Sequence, residues 1–463
     1  MNFDKSEELG RDTRTIYDFL SSVESNARTY ARDFPIVIKK GQNAKIVDTE
    51  DKIYIDCLAG AGTLALGHNN PFVVEALKQF LDSGHIMHGL DFATPVKSEF
   101  VKALFDCFPE NFRKDAKIQF CGPTGTDAVE AAIKLFKIHT KRSTVLAFHG
   151  GYHGVSHGTL ALTGNLSAKN KIENLMPGVH FLPYPYRYRC PFGIGSEESI
   201  DVNLNYIKNI LHDPESGIAK PAAIIVEIIQ GEGGCIPADD KWVRGLRQIT
   251  YESDIPLIVD EIQTGLGRTG YMFAFESSGI IPDAVLVSKA VGGGLPLSAV
   301  VYNKKYDTWS PGAHAGTFRG NQMAMVAGIA TIKYIKTHKI IQSCREKGEY
   351  LLDSLRDFKR HYPIIGDVRG RGLMIGIEII DPTKKRDPMG RYSNSQEITK
   401  AIKKFCFDHG LIIESGGRHG SVLRLLPPLV ISDSEIEEVL EILKSAIHTL
   451  NEAVFNSEQC LSV

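Results

Sequence analysis

Two neighbouring stretches decide the fold: Ile255-Pro-Leu-Ile-Val-Asp-Glu-Ile-Gln-Thr-Gly-Leu-Gly-Arg-Thr-Gly270 and Asp283-Ala-Val-Leu-Val-Ser-Lys-Ala-Val-Gly-Gly-Gly294. Each contains a short apolar run that is followed by a charged residue, Asp260 in the first and Lys289 in the second. Such runs are typical of strands that are buried on both faces of a parallel sheet. Ligands of open α/β sheets bind beyond the carboxyl ends of the strands, so we expect chemical groups just after these runs.

Similar runs alternate with helical patterns and glycine-rich turns over a large part of the chain. They are 117–120, 144–148, 222–229, 256–259, 284–287 and 299–302. This alternation predicts an α/β fold with a mostly parallel, doubly wound central sheet. We expect residues 1–60 to be an N-terminal segment that includes a strand-like stretch over 45–57 and joins the small lobe. Residues 61–325 would form the large domain, and 326–463 a smaller α+β C-terminal lobe.

Composition narrows the class of protein. The 463 residues carry 53 Lys and Arg against 55 Asp and Glu, a net charge of -2, so charge favours neither nucleic acid nor a membrane surface as a partner. The N-terminus does not resemble a signal peptide, and no apolar run is long enough to cross a bilayer. The eight cysteines form no C-x-x-C pair, which favours free thiols and a cytoplasmic location.

Lys289 and Asp260 are candidates for chemistry, although each also has an ordinary explanation. Burial lowers the pKa of a lysine and frees its amine to act as a nucleophile. The carboxylate of Asp260 suits a protonated pyridine nitrogen, and Gln263 suits an oxygen on the same ring. The alternatives are a solvated lysine in a turn for Lys289, and a helix cap or structural salt bridge for Asp260.

The segment Gly122-Pro-Thr-Gly-Thr-Asp127 follows one apolar run and precedes a helical pattern. The free amides at the start of a helix, with Gly125 giving close access and Thr126 adding a hydroxyl, are suited to bind phosphate. An ordinary capped helix is the alternative. The pattern of a nucleotide-binding P-loop is absent from this segment.

Two further glycine-rich motifs need interpretation. Tyr152, in His149-Gly-Gly-Tyr-His-Gly154, is suited to lie against a flat ring, and without further ligands nearby its two histidines do not indicate a metal site. The glycines of Gly265-Leu-Gly-Arg-Thr-Gly270 match a dinucleotide-binding fingerprint. Residues 260–264 separate them from the strand, however, and no helix is expected after them, so we reject a nicotinamide dehydrogenase.

Taken together, these motifs resemble the class III (ω-amino acid) aminotransferases, which depend on pyridoxal phosphate (PLP). The resemblance extends from about residue 34 to 431. It is carried by 258–270 with 282–297 and by 124–128, 151–154, 226–234, 316–321 and 423–429. It implies PLP fold type I, which is aspartate aminotransferase-like, and an obligate homodimer with shared active sites.

The resemblance also implies roles for individual residues. Lys289 and Asp260 would be the catalytic residues, with Lys289 holding the cofactor and Asp260 contacting its ring nitrogen. The other cofactor-binding residues would be Gly125, Thr126, Tyr152, Gln263 and, from the neighbouring subunit, Thr317.

Glu232 and Arg424 resemble the pair with which this family alternates between substrates. Arg424 can bind a carboxylate with two parallel hydrogen bonds, and Glu232 can pair with it when that carboxylate is absent. A permanent structural ion pair is the alternative. Many members have an arginine where this chain has Val155. We consider Arg319 as a replacement substrate-binding residue, its alternative being a structural role at the dimer interface.

Three stretches, 56–71, 183–193 and 317–321, resemble the L-2,4-diaminobutyrate:2-oxoglutarate aminotransferases within this class. That likeness implies reversible transfer of the terminal amino group of diaminobutyrate to 2-oxoglutarate, which yields aspartate 4-semialdehyde and glutamate. The alternatives are an ω-aminotransferase for ornithine, lysine or a β-amino acid, a class III aminomutase, and a non-catalytic protein of PLP fold.

Overall fold

The computed structural model describes residues 13–195 and 197–461. Its strands are β1 Ile38–Gln42, β2 Lys45–Asp48, β3 Ile53–Asp56, β4 Ala116–Phe120, β5 Val145–Phe148, β6 Val179–Leu182, β7 Ala223–Val226, β8 Ile229–Gln230, β9 Ile236–Pro237, β10 Leu257–Asp260, β11 Ala284–Val287, β12 Ala299–Asn303, β13 Ile365–Arg371, β14 Met374–Ile379, β15 Leu411–Ile412, β16 Glu414–Gly416 and β17 Val422–Leu425. Its α-helices are α1 Thr13–Val23, α2 Tyr30–Asp33, α3 Pro71–Asp82, α4 Pro95–Phe105, α5 Glu110–Arg113, α6 Gly125–Thr140, α7 His157–Leu162, α8 Glu198–His212, α9 Asp240–Glu252, α10 Gln322–Thr337, α11 Ile340–His361, α12 Gln396–Asp408 and α13 Asp433–Leu461.

The central sheet has seven strands in the order β4-β12-β11-β10-β7-β5-β6. Strand β12 runs antiparallel to both of its neighbours, and the other adjacent pairs are parallel. The predicted α/β fold with a mostly parallel sheet is therefore confirmed. Strand β6 was not predicted, because its Val-His-Phe-Leu sequence is mostly half-buried and lacks a continuous β-branched run.

The inner strands are apolar along their whole length because helices cover both faces of the sheet. Every residue of β5, β7, β10 and β11 is buried. On one face α6 buries Ala128, Val129, Ala132 and Phe136, so the strands beneath it exclude water. This two-sided burial explains why the polar side chains concentrate after the strands rather than within them.

Beyond residue 325 the chain forms long helices and a second, antiparallel sheet in the order β13-β14-β17-β16. The predicted strand over 45–57 is two strands, β2 and β3, joined by a turn, and β3 pairs in parallel with β15 from the C-terminal part. This pairing connects the described part of the N-terminal segment to the C-terminal region, and the boundaries at residues 60 and 325 remain predictions. The last helix runs from Asp433 to Leu461.

Within residues 13–195 and 197–461, no helix is long and apolar enough to span a bilayer. Seven cysteines, at positions 57, 107, 121, 190, 235, 344 and 406, are buried free thiols, and the side chain of Cys460 lies outside the described part. The same ranges contain no group of three His, Cys, Asp or Glu residues arranged to hold a metal ion.

Candidate active site

A cavity of about 490 Å³ lies beyond the carboxyl ends of the central strands. Such a volume falls within the range of roughly 300 to 1,000 Å³ that small-molecule sites occupy. Seven of the residues predicted from the sequence line it together: Gly125, Thr126, Tyr152, Glu232, Asp260, Gln263 and Lys289. The sheet places them side by side although 164 positions separate the first from the last.

Lys289 lies two residues after β11, with its Nζ 3.0 Å from the carbonyl oxygen of Ala61. Burial lowers the pKa of this amine, and among the described residues no carboxylate forms a salt bridge with it. Its backbone has a φ of 49°, in the left-handed region that side chains other than glycine rarely adopt. Strained backbone of this kind costs about 1 to 3 kcal/mol and is concentrated at functional sites.

Asp260, at the end of β10, is held rigidly by two neighbours. One carboxylate oxygen lies 2.8 Å from Nδ1 of His153, and the other accepts the N–H of Ile262 at 3.1 Å. Burial opposes a charged imidazole, but the hydrogen bond to Asp260 and the negative charges of Asp260 and Glu227 together outweigh it and raise the pKa of His153. The cavity therefore presents a buried acid whose orientation is set from behind.

Glu227, which follows β7, connects two other parts of the site. Its carboxylate accepts the N–H of Tyr152 at 2.9 Å and the N–H of Gly231 at 3.0 Å. Burial raises the pKa of this acid to about 7, and the positive field of His153 partly offsets that rise. One side chain thus positions the backbone of the predicted ring-stacking residue, Tyr152, and of the residue before Glu232.

The predicted phosphate cradle is the N-terminus of α6, which begins at Gly125. Asp127 closes a capping box with Thr124, so the first turn is fixed while its remaining N–H groups lack acceptors within the helix. The hydroxyl of Thr126 lies 2.6 Å from that of Thr159 and 2.9 Å from that of Ser156. Amides and hydroxyls converge here, as an anion-binding site requires.

Gln263 and Tyr152 both line the cavity. Gln263 donates from Nε2 to the carbonyl oxygen of Ala61 at 3.0 Å, the same oxygen that Lys289 approaches. A Cβ at Gly231 would lie 1.8 Å from Oε1 of Gln263, so only glycine fits there. Tyr152 is 38% exposed, which leaves much of its ring free for a ligand.

Arg424, on β17, is fully buried and pairs with two carboxylates rather than one. Its Nη2 lies 2.8 Å from Oε1 of Glu232 and also contacts Oε2 of Glu414. Its Nε and Nη1 are buried without a hydrogen-bond partner. Tyr30 donates its hydroxyl to Glu414 at 3.0 Å and lines the cavity, so the N-terminal segment closes this side.

Thr317 and Arg319 do not line this cavity. The carbonyl oxygen of Thr317 lies 2.7 Å from Nε2 of His88, and Arg319 pairs with Asp91 at 2.7 Å. Thr317 was predicted to act in the site of a neighbouring subunit, and that role remains a prediction. Within the cavity of its own chain, Arg319 does not take the place that Val155 leaves open.

Sequence reasoning did not assign Glu414, Tyr30 or Glu227 to the site. Glu414 and Glu227 each come directly after an apolar run, the same signal that identified Asp260, so both were within reach. Tyr30 had no such signal, because it belongs to a short helix that reaches Glu414 across 384 positions of sequence.

The model of the family "Aminotransferase class-III" matches residues 27–447. The chain belongs to the class III aminotransferase family. It is 52% identical to a diaminobutyrate--2-oxoglutarate aminotransferase of Rhizobium meliloti, over 92% of this chain and 91% of the relative. It is 49% identical to an enzyme of the same description from Haemophilus influenzae, over 92% of this chain and 93% of the relative.

Solved structures agree on the fold of this aminotransferase. A PLP-bound amine transaminase from an uncultivated Pseudomonas species superimposes with a TM-score of 0.81 at 25% identity, covering 92% of this chain and 98% of the other. The ornithine aminotransferase of Toxoplasma gondii superimposes with a TM-score of 0.82 at 23% identity, covering 98% and 99%. The chain thus has PLP fold type I, as its sequence predicted.

Proposed function

We propose that this aminotransferase uses PLP to transfer the 4-amino group of L-2,4-diaminobutyrate to 2-oxoglutarate. The products are L-aspartate 4-semialdehyde and L-glutamate, and the reaction is reversible. The choice of donor rests on the relatives that are 52% and 49% identical, both described as diaminobutyrate--2-oxoglutarate aminotransferases.

The arrangement around Arg424 carries the proposal. An aminotransferase has to accept an amine and then a dicarboxylic keto acid in one cavity. The Nε and Nη1 of Arg424 are buried and unpaired, which is costly unless a ligand completes them. Glu232 lines the cavity with a side chain that is 35% exposed, so it can move away from Arg424 when a carboxylate arrives.

The residues of the cavity fit PLP. The α6 N-terminus with Gly125 and Thr126 supports its phosphate, and Tyr152 offers a ring to lie against it. Asp260 is positioned by His153 to bind a protonated ring nitrogen, and Gln263 to reach a ring oxygen. Lys289, whose amine has a lowered pKa and no carboxylate partner in the described chain, is the residue that holds the cofactor.

Bound PLP supplies a ring that accepts electrons from the substrate carbon. The amine of Lys289 removes a proton from C4 of the donor as general base, and later returns a proton as general acid. Burial favours the neutral form of this amine that the first of these steps needs. Two hydrogen bonds fix the orientation of the Asp260 carboxylate. In this position its negative charge would keep the ring nitrogen protonated.

In the second half of the reaction Arg424 binds the α-carboxylate of 2-oxoglutarate at the position on Nη2 that Glu232 leaves, with a second hydrogen bond from an unpaired N–H beside it. Glu414 remains on Nη2 and holds the guanidinium in place, since Tyr30 fixes this carboxylate from the other side. Only Glu232 has to move. The two half-reactions therefore differ by the rotation of one partly exposed side chain.

We further propose that the enzyme is a cytoplasmic homodimer with shared active sites. Several apolar side chains are exposed in the single chain: Ile86, Met87, Leu90, Phe92 and Phe318. A second copy of the chain would cover them and bring Thr317 to the phosphate of the neighbouring subunit. Arg319, held by Asp91, supports that interface rather than the carboxylate of a substrate in its own chain. The net charge of -2 gives no support for nucleic acid or membrane as a further partner.

A donor comparison with the holoenzyme tests the function. Diaminobutyrate, ornithine, lysine and β-alanine are each supplied with 2-oxoglutarate, and glutamate is measured. One additional methylene costs about 10- to 200-fold in kcat/KM, so ornithine should be poorer than diaminobutyrate by that factor. Formation of aspartate 4-semialdehyde confirms that the terminal amine reacts. A higher kcat/KM for ornithine or lysine would replace the proposed donor.

Lys289→Ala tests the central residue. We expect this variant to lose transamination while retaining unlinked cofactor, and Lys304→Ala, at an exposed lysine, to behave as wild type. Normal turnover by Lys289→Ala would refute the assignment.

A further inference from the structure

A second and larger cavity, of about 1,060 Å³, adjoins the first. The two share Tyr152 and Glu232 as walls, so a ligand bound at Lys289 has a route into the second cavity. It is bordered by residues 149–152, 164–169 and 415–420, and by the segment 184–191. That segment lies within 183–193, one of the stretches that distinguish this chain within its class. The proposed reaction gives it no role.

Arg418 is the feature of this cavity that calls for a ligand. Its guanidinium is half-buried, lies 5.6 Å from the ring centroid of Tyr186 and donates to the carbonyl oxygen of His149 at a long 3.4 Å. Among the described residues no carboxylate forms a salt bridge with it. Burial lowers the pKa of Arg418, which shows that its charge is poorly compensated.

The other arginines near the substrate are already paired. Arg424 contacts Glu232 and Glu414, and Arg189 binds Glu378. Lys169, also on the cavity wall, lies 4.6 Å from the ring centroid of Phe181. Among the described residues, Arg418 is therefore the arginine at these two cavities that can bind a carboxylate without first losing a carboxylate partner.

Local structure holds Arg418 in this position. Its neighbours Gly417 and His419 have φ of 72° and 58°, so the backbone turns sharply on both sides of it. A Cβ at Gly150 would lie 2.7 Å from Nη1 of Arg418, so the opposite wall has to be glycine. Tyr186, on which Arg418 stacks, is itself bound to Glu378 through its hydroxyl.

We propose that Arg418 binds the α-carboxylate of the amino donor. This inference rests on the proposed function. Diaminobutyrate has an α-ammonium and an α-carboxylate at the end remote from the reacting 4-amine. While the donor is bound, Arg424 is occupied by Glu232 and Glu414 and cannot hold that carboxylate. Arg418 lies across the shared wall, and Glu232, on the same wall, is placed to accept the α-ammonium.

Two donors that differ only in this carboxylate test the proposal. 1,3-Diaminopropane is diaminobutyrate without its carboxyl group. In Arg418→Ala we expect the KM for diaminobutyrate to rise about 10- to 100-fold, the effect of losing a hydrogen bond to a charged group. The KM values for 1,3-diaminopropane and 2-oxoglutarate should change less than about threefold, and kcat should be nearly unchanged because the clamp acts equally before and during the reaction.

The matched control is Arg391→Ala. Arg391 also lies over a tyrosine ring, that of Tyr188 at 5.4 Å, and donates to a backbone carbonyl, but it lines neither cavity. It should leave all three KM values unchanged. Arg418→Lys retains a positive charge without the planar fork, and it should recover part of the lost affinity for diaminobutyrate.

Equilibrium binding supplies a readout independent of turnover. L-2-Aminobutyrate has the α-ammonium and α-carboxylate but lacks the 4-amine, and its dissociation constant from the holoenzyme can be measured by calorimetry. We expect about 10-fold or weaker binding in Arg418→Ala. Unchanged discrimination between the two donors in Arg418→Ala, or an equal rise in the KM for 2-oxoglutarate, would overturn the role of Arg418. Failure of the wild-type enzyme to prefer diaminobutyrate would instead overturn the proposed function, and this inference with it.

Discussion

Two buried arginines, Arg424 and Arg369, each pair with two carboxylates, yet their surroundings differ. Arg369 binds Glu378 and Asp367 through Nη1 and donates from Nε to the carbonyl oxygen of Gly234, which leaves Nη2 unpaired. Arg424 places both of its carboxylates on Nη2 and leaves Nε and Nη1 unpaired. The contacts of Arg369 are distributed around its guanidinium, whereas those of Arg424 are confined to one corner.

The partners differ as well. The side chain of Glu378 is 3% exposed and is also bound by Arg189 and Tyr186, so it has no freedom to leave. The side chain of Glu232 is 35% exposed on the cavity wall. We therefore expect the same pair of residue types to form a permanent structural contact in one place and an exchangeable one in the other. What distinguishes them is that Glu232 lines the cavity of the candidate site, and that Arg424 has two unpaired hydrogen-bond donors where Arg369 has one.

The largest expected effect is on stability, at the permanent contact. Glu378→Gln removes the negative charge between Arg369 and Arg189 and leaves the buried guanidinium of Arg369 and the half-buried one of Arg189 underpaired. We expect a loss of about 3 to 5 kcal/mol in the free energy of unfolding, measured by urea denaturation of the holoenzyme. Glu437→Gln, at an exposed glutamate that contacts Tyr350, is the control and should change stability little. A loss below about 1 kcal/mol in Glu378→Gln would show that Arg369 is not a structural centre.

Glu261 is a buried acid that, unlike Glu378, has no guanidinium partner among the described residues. The two acids should therefore contribute differently to stability as pH changes. Arg369 and Arg189 outweigh burial and lower the pKa of Glu378, whereas Glu261, hydrogen-bonded to Thr264 and two backbone N–H groups, has its pKa raised by burial to about 7. A raised native pKa favours folding fully below about pH 4.5, and this contribution is lost as pH rises to about 7.

This contribution amounts to about 3 kcal/mol over that interval. We therefore expect the free energy of unfolding of wild type to fall more steeply between pH 4.5 and 7 than that of Glu261→Gln. Parallel pH profiles of the two proteins would contradict the raised pKa, whatever the absolute stability of the variant.

Substitution of Arg424, at the contact we expect to be exchangeable, should change the affinity for substrate. Arg424→Lys keeps a positive charge but cannot form two parallel hydrogen bonds to a carboxylate. We expect the KM for 2-oxoglutarate to rise about 10- to 100-fold, while the KM for diaminobutyrate changes less than about threefold. Steady-state kinetics with each substrate varied in turn measures both values. Equal increases for the two substrates would mean that Arg424 is structural, like Arg369.

The smallest effect is expected at the partner that moves. Glu232→Gln leaves Arg424 less neutralised, so 2-oxoglutarate should bind more tightly, with a KM lower by about three- to tenfold. The partly exposed position of Glu232 limits the change in unfolding free energy to about 1 kcal/mol. A loss of unfolding free energy as large as that of Glu378→Gln would mean that Glu232, like Glu378, is a permanent structural partner of its arginine.

Much of the fold could be predicted from the sequence because its central strands are buried on both faces. Six apolar runs were located to within a few residues of strands β4, β5, β7, β10, β11 and β12. Strand β13 was missed because Ile-Gly-Asp-Val-Arg-Gly-Arg has only two apolar residues, which do not alternate. Its Arg369 depends on distant partners, Glu378 and the carbonyl oxygen of Gly234.

The site, like the fold, has a part that could be predicted from the sequence and a part that could not. Asp260, Lys289 and the start of α6 follow strands, and parallel strands end at one edge of the sheet, so their meeting was predictable. Tyr30 lies 384 positions from Glu414, and no periodicity connects it to Glu414 or to Arg418. The family resemblance implied one carboxylate partner for Arg424, Glu232, and the structure provided the second, Glu414.

The sequence by itself determined the class of fold, the family and the residues around the predicted cofactor, because these depend on local runs and on turns directly after them. Only the tertiary structure decided which charges are permanently paired and which remain available. That distinction depends on burial, on unused donors such as Nε and Nη1 of Arg424, and on access to a cavity. Each of these is a property of surroundings that distant segments create together.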